Sequence, residues 1–254
     1  MTAPSTPNRT ILITGASSGL GLGMAREFAA LGRDLALCAR RADRLEALRR
    51  DLLQAHPGIR VAIRPLDVTD HAAVFETFHA FDSEMGGLDR IVVNAGIGSG
   101  RRIGTGHFAE NLATAQTNFV AALAQCEAAV ELFRSRNKGH LVVVSSMSAL
   151  RGLPKHLTTY AATKAGLAAL AEGIRAELLR TPIRVTTLFP GYIHTELNAG
   201  AKRLPFAIPG DVGSRLLVRT IEREPATAHV PAWPWAYMAP VLKLLPLSLV
   251  ARLA

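Results

Sequence analysis

The chain is 254 residues long and 49% hydrophobic, which fits one large α/β domain, or two small ones, with ample apolar material for a core. Its net charge of +9 rests on 24 Arg and only 5 Lys, a set that suits phosphate ligands, acidic substrates, nucleic acid or an anionic membrane surface. The arginines are scattered over predicted helix faces without a long basic run, and no nucleic-acid motif accompanies them, so compositional bias is the preferred reading and no nucleic-acid partner is expected.

Residues 1–9 are rich in Pro, Ser and Thr and have no apolar core, so they read as a flexible tail and not as a signal peptide; a cytoplasmic protein is the expectation. Thr10 to Ile13 is a short apolar run, predicted to be a strand. It ends in Thr14-Gly15-Ala16-Ser17-Ser18-Gly19-Leu20-Gly21, and a helical pattern follows from Leu22 to Leu31. Glycines at 15, 19 and 21 let the backbone turn sharply and let a pyrophosphate approach the amides at a helix N-terminus. The spacing is GxxxGxG, a loose fit to the commoner GxGxxG fingerprint.

Further strands are predicted at Asp34 to Ala39, Arg60 to Pro65, Leu88 to Asn94, Leu141 to Val144, Arg184 to Phe189 and Thr227 to Val230. Helices are predicted between them at Ala42 to His56, Asp70 to Met85, Phe108 to Arg136, Leu157 to Arg180 and Pro209 to Arg223. This alternation predicts a three-layer, doubly wound α/β domain over 10–230, with a mainly parallel sheet and helices on both faces. No linker-like break or internal repeat divides it.

The second strand runs into Arg40-Arg41, with no carboxylate at its end. In dinucleotide folds an acidic residue here holds a ribose 2′-hydroxyl and an Arg accommodates a 2′-phosphate, so NADP(H) is favoured over NAD(H). Asp67-Val68, ending the third strand, offers a side-chain acceptor and a backbone amide to an adenine, while Thr69 or Asp70 suits a helix N-cap. Cys38 and Cys126 show no metal or redox spacing and read as buried free thiols. His107, His156 and His194 also lack ligand spacing, so no catalytic metal is expected.

Within Leu157 to Leu179, Tyr160 and Lys164 are four residues apart and share one helix face. Unit charges ~4 Å apart at an effective dielectric of ~20 interact by ~4 kcal/mol, enough to draw a phenol from ~10 toward neutrality and make it a general acid or base.

Together, Thr14-Gly15-x-x-x-Gly19-x-Gly21, Asn94-Ala95-Gly96, Ser146, Tyr160-x-x-x-Lys164 and Pro190-Gly191 resemble, in order and approximate spacing, the short-chain dehydrogenases/reductases, over Thr10 to about Val230. The resemblance implies a seven-stranded Rossmann sheet and a catalytic set of Asn118, Ser146, Tyr160 and Lys164. It implies that Gly15, Ser17, Ser18, Gly19, Leu20, Gly21, Asn94, Ala95, Gly96, Pro190, Gly191, Ile193 and Thr195 meet the dinucleotide, Ile193 through its backbone and Thr195 at the carboxamide. Lys164 would bind the nicotinamide ribose and lower the Tyr160 pKa, and Asn118 would hold a relay water. The family commonly has 13 residues from serine to tyrosine; 14 separate Ser146 from Tyr160 here, which a one-residue insertion between Pro154 and Tyr160 repairs, with Ser148 as the lesser candidate. Val93 stands where the family often has another asparagine, a change that touches stability more than activity.

Ile97, Met147, Leu150, Tyr192 and Phe206 lie in the segments expected beyond the strands' carboxyl ends, so an apolar ketone or aldehyde is the expected substrate class. Arg101, Arg102, Lys155 and Lys202 border the same region and read as solvated loop charges. Residues 231–254 form an apolar, Trp- and Pro-containing extension, expected to pack over the pocket or against a second subunit of a homodimer or homotetramer, ahead of shallow docking on a membrane surface. An NADP(H)-dependent carbonyl/alcohol oxidoreductase is the reading preferred over a dinucleotide-sensing regulator or an epimerase or dehydratase on the same scaffold.

Overall fold

Seven short apolar runs become the strands β1 (Thr10–Thr14), β2 (Asp34–Ala39), β3 (Val61–Pro65), β4 (Arg90–Val93), β5 (His140–Val144), β6 (Arg184–Pro190) and β7 (Thr227–Val230) in the computed structural model. It describes residues 10–98, 100–198, 200 and 204–253; the expected tail at 1–9 and Lys202 lie outside these. The strands form one parallel sheet in the order β3-β2-β1-β4-β5-β6-β7. The order reverses between β1 and β4, so the chain leaves this point in both directions and opens a crevice at the strands' carboxyl ends.

The helices are α1 (Gly19–Ala30), α2 (Ala42–Ala55), α3 (His71–Met85), α4 (Phe108–Ala115), α5 (Ala121–Arg136), α6 (Thr158–Glu177), α7 (Gly210–Glu222), α8 (Ala232–Leu244) and α9 (Leu247–Leu253). The strands read as unbroken apolar runs because both faces are covered. Leu12 of β1 packs on one side with Phe78 and Phe81 of α3 and Cys126 and Phe133 of α5. Its neighbours Ile11 and Ile13 pack on the other with Met24 and Phe28 of α1, Leu45 of α2 and Leu217 of α7. Each such phenylalanine, fully buried, contributes roughly 1.5–3 kcal/mol. Both cysteines lie inside the core as free thiols, and burial pushes each up to about 12.

Local chemistry sets the ends of α3. The Asp70 side chain accepts from Ala73 N at 3.0 Å, and Gly86, with φ of 72°, ends the helix in the left-handed region. The single helix expected over Phe108 to Arg136 is instead α4 and α5 joined by a π turn at Gln116–Val120, which carries the fully buried Asn118. The extension is also helical, with Trp235 of α8 buried against Met147 and packed with Tyr192.

At the amino ends of the strands a second pattern appears. Arg90, the first residue of β4, is fully buried and donates through Nε to His140 Nδ1 at 2.8 Å. Its Nη1 reaches Glu222 and its Nη2 donates to Glu224 at 3.2 Å. An arginine can only donate, so Nδ1 of His140 accepts and Nε2 carries the proton toward Thr186 Oγ1 at 2.9 Å. Thr186 in turn donates to Pro225 O at 2.6 Å. Burial, followed by the charges of Arg90 and Arg184, holds His140 well below the usual histidine range and keeps it neutral. Asp34, the first residue of β2, accepts from Arg60 through N at 2.8 Å and through Nε and Nη2 at 3.1 Å each. Arg90 and Arg60, both within predicted strands, thus close the sheet's amino-terminal edge.

Candidate active site

The crevice between β1 and β4 is fastened by one threonine and one asparagine. Thr14 Oγ1 accepts from Asn94 N and Ala95 N, both at 3.1 Å, and Asn94 Nδ2 donates to Thr14 O at 2.9 Å. The glycine-rich turn packs directly on this clasp. A Cβ at Gly21 would stand 2.3 Å from Gly15 O and 2.7 Å from Asn94 Nδ2, so only glycine lets α1 begin this close to β4. Ser18, at the N-cap of α1, makes no side-chain cap, which leaves the first helical amides for an incoming acceptor.

Arg41 turns back over this loop, donating to Ser17 Oγ at 3.2 Å and Ser18 Oγ at 2.6 Å. It also lies 3.5 Å from Glu196, whose carboxylate accepts from Arg44 Nη1 at 2.9 and 3.1 Å. Arg40 is exposed beside Asp67. Partial burial pushes Asp67 up, but the Thr69 bonds and the Arg40 charge outweigh it and hold the carboxyl below its usual value. Val68 is buried next to it.

The expected catalytic residues meet at the carboxyl end of β5. Ser146 caps the 3-10 turn Met147–Leu150 by accepting from Ser148 N at 3.1 Å, and its side chain lies close enough to the Tyr160 hydroxyl to lower that group's pKa. Ser148 enters this arrangement only through its backbone. Another 3-10 turn, Lys155–Leu157, with Lys155 at φ of 63°, lies in the stretch where the extra residue between serine and tyrosine is expected. One turn along α6, Lys164 is 5% exposed and donates from Nζ to Val144 O at 2.9 Å. Ser145 Oγ donates to Lys164 O at 2.8 Å and fixes that turn of the helix.

The expected lowering of the Tyr160 pKa by Lys164 is corrected by this geometry. Burial raises the Tyr160 hydroxyl; the Ser146 side chain opposes this and Tyr192 adds to it, leaving the phenol above its usual value. Burial instead acts on the lysine, drawing Lys164 down to about 8.

Asn118 uses both ends of its amide on one residue, accepting from Ile97 N and donating to Ile97 O, each at 2.8 Å. The π turn aims this side chain inward, a use of π geometry that recurs at functional sites. Gly96 passes directly above, where an added Cβ would lie 3.1 Å from Asn118 Oδ1 and 3.6 Å from Lys164 Nζ. Asn94, Gly96, Asn118 and Lys164 are thereby brought to one spot.

The fourth wall follows β6. Pro190 ends the strand, and a Cβ at Gly191 would fall 2.0 Å from Trp235 Nε1, so α8 depends on that glycine. Ile193 is buried and pairs with Ile208, while Thr195 approaches Gly19, its Cβ 3.6 Å from where a side chain there would begin. Asn198 staples the turn, accepting from Thr195 N at 3.0 Å and donating to Ile193 O at 2.8 Å. Tyr192 and Phe206 meet the Trp235 ring edge-on at 5.7 and 6.0 Å, giving the apolar lining expected here.

Sequence reasoning passed over Thr14, Arg44, Glu196 and Trp235 as single residues. Arg44 carried a signal, standing one helical turn after Arg40 and Arg41. Glu196 carried none, because its partner Arg44 is 152 residues away. The glycine cradle, the uncapped start of α1 and the cationic Arg41 fit a phosphate-bearing dinucleotide, and the buried Lys164 beside Gly96 fits a hydroxyl-rich group above it.

Known proteins resemble this chain in sequence and fold. Residues 9–203 match the family model described as short chain dehydrogenase. An uncharacterized oxidoreductase of Mycobacterium tuberculosis strain H37Rv is 51% identical over 244 residues, 96% of each chain. Another from Myxococcus xanthus is 37% identical over 239 residues, 94% of this chain and 93% of its own. Among solved structures, an alcohol dehydrogenase from the archaeon Thermococcus sibiricus, complexed with 5-hydroxy-NADP, is similar with a TM-score of 0.77 at 27% identity, over 87% of this chain and 95% of that one.

Proposed function

The chain belongs to the short-chain dehydrogenase family of nicotinamide-dinucleotide oxidoreductases, and from that premise we propose that it interconverts a carbonyl and an alcohol on an apolar substrate, using NADP(H) in preference to NAD(H). The approach of Ser146 to Tyr160, with the buried Lys164 one helical turn on, carries this reading. When bound, the nicotinamide supplies or accepts a hydride. Tyr160 donates the proton from its hydroxyl to the carbonyl oxygen, or takes it from the alcohol in the other direction. A phenol held above its usual pKa is protonated at neutral pH, the state needed for reduction. Ser146 donates to the same oxygen and stabilises its developing charge. Lys164, at about 8, is mostly an ammonium at neutral pH and serves to hold the ribose hydroxyls. Asn118 keeps the Asn94-to-Ile97 segment in place through Ile97.

The cofactor preference is supported by Arg41, which reaches the Ser17-Ser18 turn, and by the absence of a carboxylate at the end of β2. The T. sibiricus enzyme, crystallised with an NADP derivative, supports the same choice. The apolar substrate class is supported by Met147, Tyr192, Phe206 and Trp235 at the rim.

The test is NADPH and NADH consumption against apolar aldehydes, ketones and quinones by the wild type and Tyr160→Phe. NADPH turnover is expected, and the variant is expected to lose about 10³-fold of it. Comparable turnover by the two proteins would remove Tyr160 from the mechanism.

A further inference from the structure

Helix α8 is apolar on two sides, and the fold uses one of them. Trp235 and Ala239 are buried, with Met238 and Leu242 packed beside them. On the other side Trp233 is 72% exposed, Tyr237 70%, Val241 56% and Leu244 84%. Tyr237, Val241 and Leu244 share one helix face, and Trp233 meets Tyr237 edge-on with ring centroids 5.5 Å apart. Leu247 and Leu249 of α9 are also exposed, at 66% and 43%, while its Val250 is buried. An apolar surface this continuous on a soluble domain marks a partner.

Charge identifies the partner. Glu196, on the other side of the pocket, is paired with Arg41 and Arg44, and no Asp or Glu occurs in residues 225–254, which carry the stripe, or in residues 145–171, which carry Met147 and Leu150 beside it. Cations stand there instead. Lys243 is exposed beside Leu244, and the Arg151 guanidinium is fixed at the end of α8 by donating to Lys243 O at 3.0 Å and Leu245 O at 2.9 Å. A second copy meeting this face by two-fold symmetry would set these cations against their like. Anionic lipid headgroups neutralise them. Aromatic rings bordering an apolar stripe suit the headgroup level of a bilayer. Among the described residues no helix is long and apolar enough to cross a membrane, so α8, at 13 residues, would lie in the plane of the surface.

We propose that the outer face of α8 and α9 docks on the surface of an anionic phospholipid bilayer, bringing the rim of the substrate pocket to the headgroup level. Trp235 joins the two faces, since it stands on α8 and packs against Tyr192 and Gly191 of the pocket wall. Apolar substrate held in the bilayer would then enter without crossing bulk water.

Flotation of the full chain with vesicles of phosphatidylglycerol and phosphatidylcholine, against phosphatidylcholine alone, tests this, with light scattering in the absence of lipid. The wild type is expected to float with the anionic vesicles only. The triple variant Trp233→Ser, Tyr237→Ser, Leu244→Ser is expected to lose at least about tenfold of that binding while keeping its turnover of NADPH with a water-soluble carbonyl. Lys243→Glu, an exposed single change that leaves the stripe intact, is expected to weaken it about tenfold, so the charge argument stands or falls even where the triple variant does not fold. A wild type that stays unbound, or a Lys243→Glu protein that floats as well as the wild type, overturns the proposal. So does a wild-type dimer that the triple variant turns into a monomer without any flotation, which would give the stripe to a second copy.

Discussion

The two ends of one sheet treat charge in opposite ways. At the amino ends, Arg90, His140, Glu222, Glu224 and Thr186 close on each other in a chain whose tautomer is fixed by its only-donating arginine. At the carboxyl ends the polar groups are held just as firmly, but from behind: Asn118 by Ile97, Ser146 by Ser148 N, Lys164 by Val144 O. One edge uses polar residues to finish the fold, and the other uses the fold to aim polar residues.

That contrast can be broken by substitution. Arg90→Met removes the fully buried cation that meets both Glu222, which keeps Arg33 at 2.6 Å, and Glu224, and breaking such a buried pair costs about 3–5 kcal/mol. Urea unfolding should show the loss, while turnover measured at low temperature should match the wild type. A large fall in kcat without a stability change would erase the division between the edges.

At the other edge the signs exchange. Arg41→Ala should weaken NADPH about 10–100-fold in a fluorescence titration and leave NADH nearly unchanged, because charge-assisted bonds to a 2′-phosphate are what it removes. Equal losses for both cofactors would remove the basis for the preference.

Lys164 sharpens the comparison through pH. Its folded pKa of about 8 lies below the ordinary lysine value of 10.5, so above pH 8 the unfolded chain binds more protons at this group than the folded one. Burial of the ammonium therefore opposes folding in full below pH 8, and the penalty is lifted as pH rises from 8 to 10.5. Relative to Lys164→Met, wild-type stability should climb in that window by up to about 1.4 kcal/mol per pH unit. Parallel pH profiles for the two proteins would contradict this.

The smallest effect belongs to the exposed contact between Glu196 and the pair Arg41 and Arg44. Glu196→Gln should leave stability within about 0.5 kcal/mol. It should tighten NADPH a few-fold by freeing both guanidinium groups, and weaker binding would mean that the carboxylate positions them instead.

Much of this architecture was legible in the sequence because its signals are local. A strand covered on both faces, such as Leu141-Val142-Val143-Val144, needs no alternation to be recognised, and Gly15, Gly19 and Gly21 mark the only turn that lets α1 start so close to β4. Illegible features depended on distant partners. Nothing in Gln116-Thr117-Asn118-Phe119-Val120 announces a π turn, since the bond that favours it runs to Ile97. Arg90 reads as a strand-edge charge until Glu222 and Glu224 arrive from α7 and the residues just after it. The tyrosine's environment was misjudged for a similar reason: helix spacing puts Lys164 near Tyr160, but burial of each group has the larger say.

The contact between Gly191 and the Trp235 indole has a bearing on how such an enzyme could be re-engineered. Positions 191 and 235 form a single lock: a side chain added at the first has room only if the second is cut back. Variation confined to α8 would therefore reshape the pocket wall while leaving the seven strands as they are, which makes the C-terminal helix a separable module for shifting substrate range.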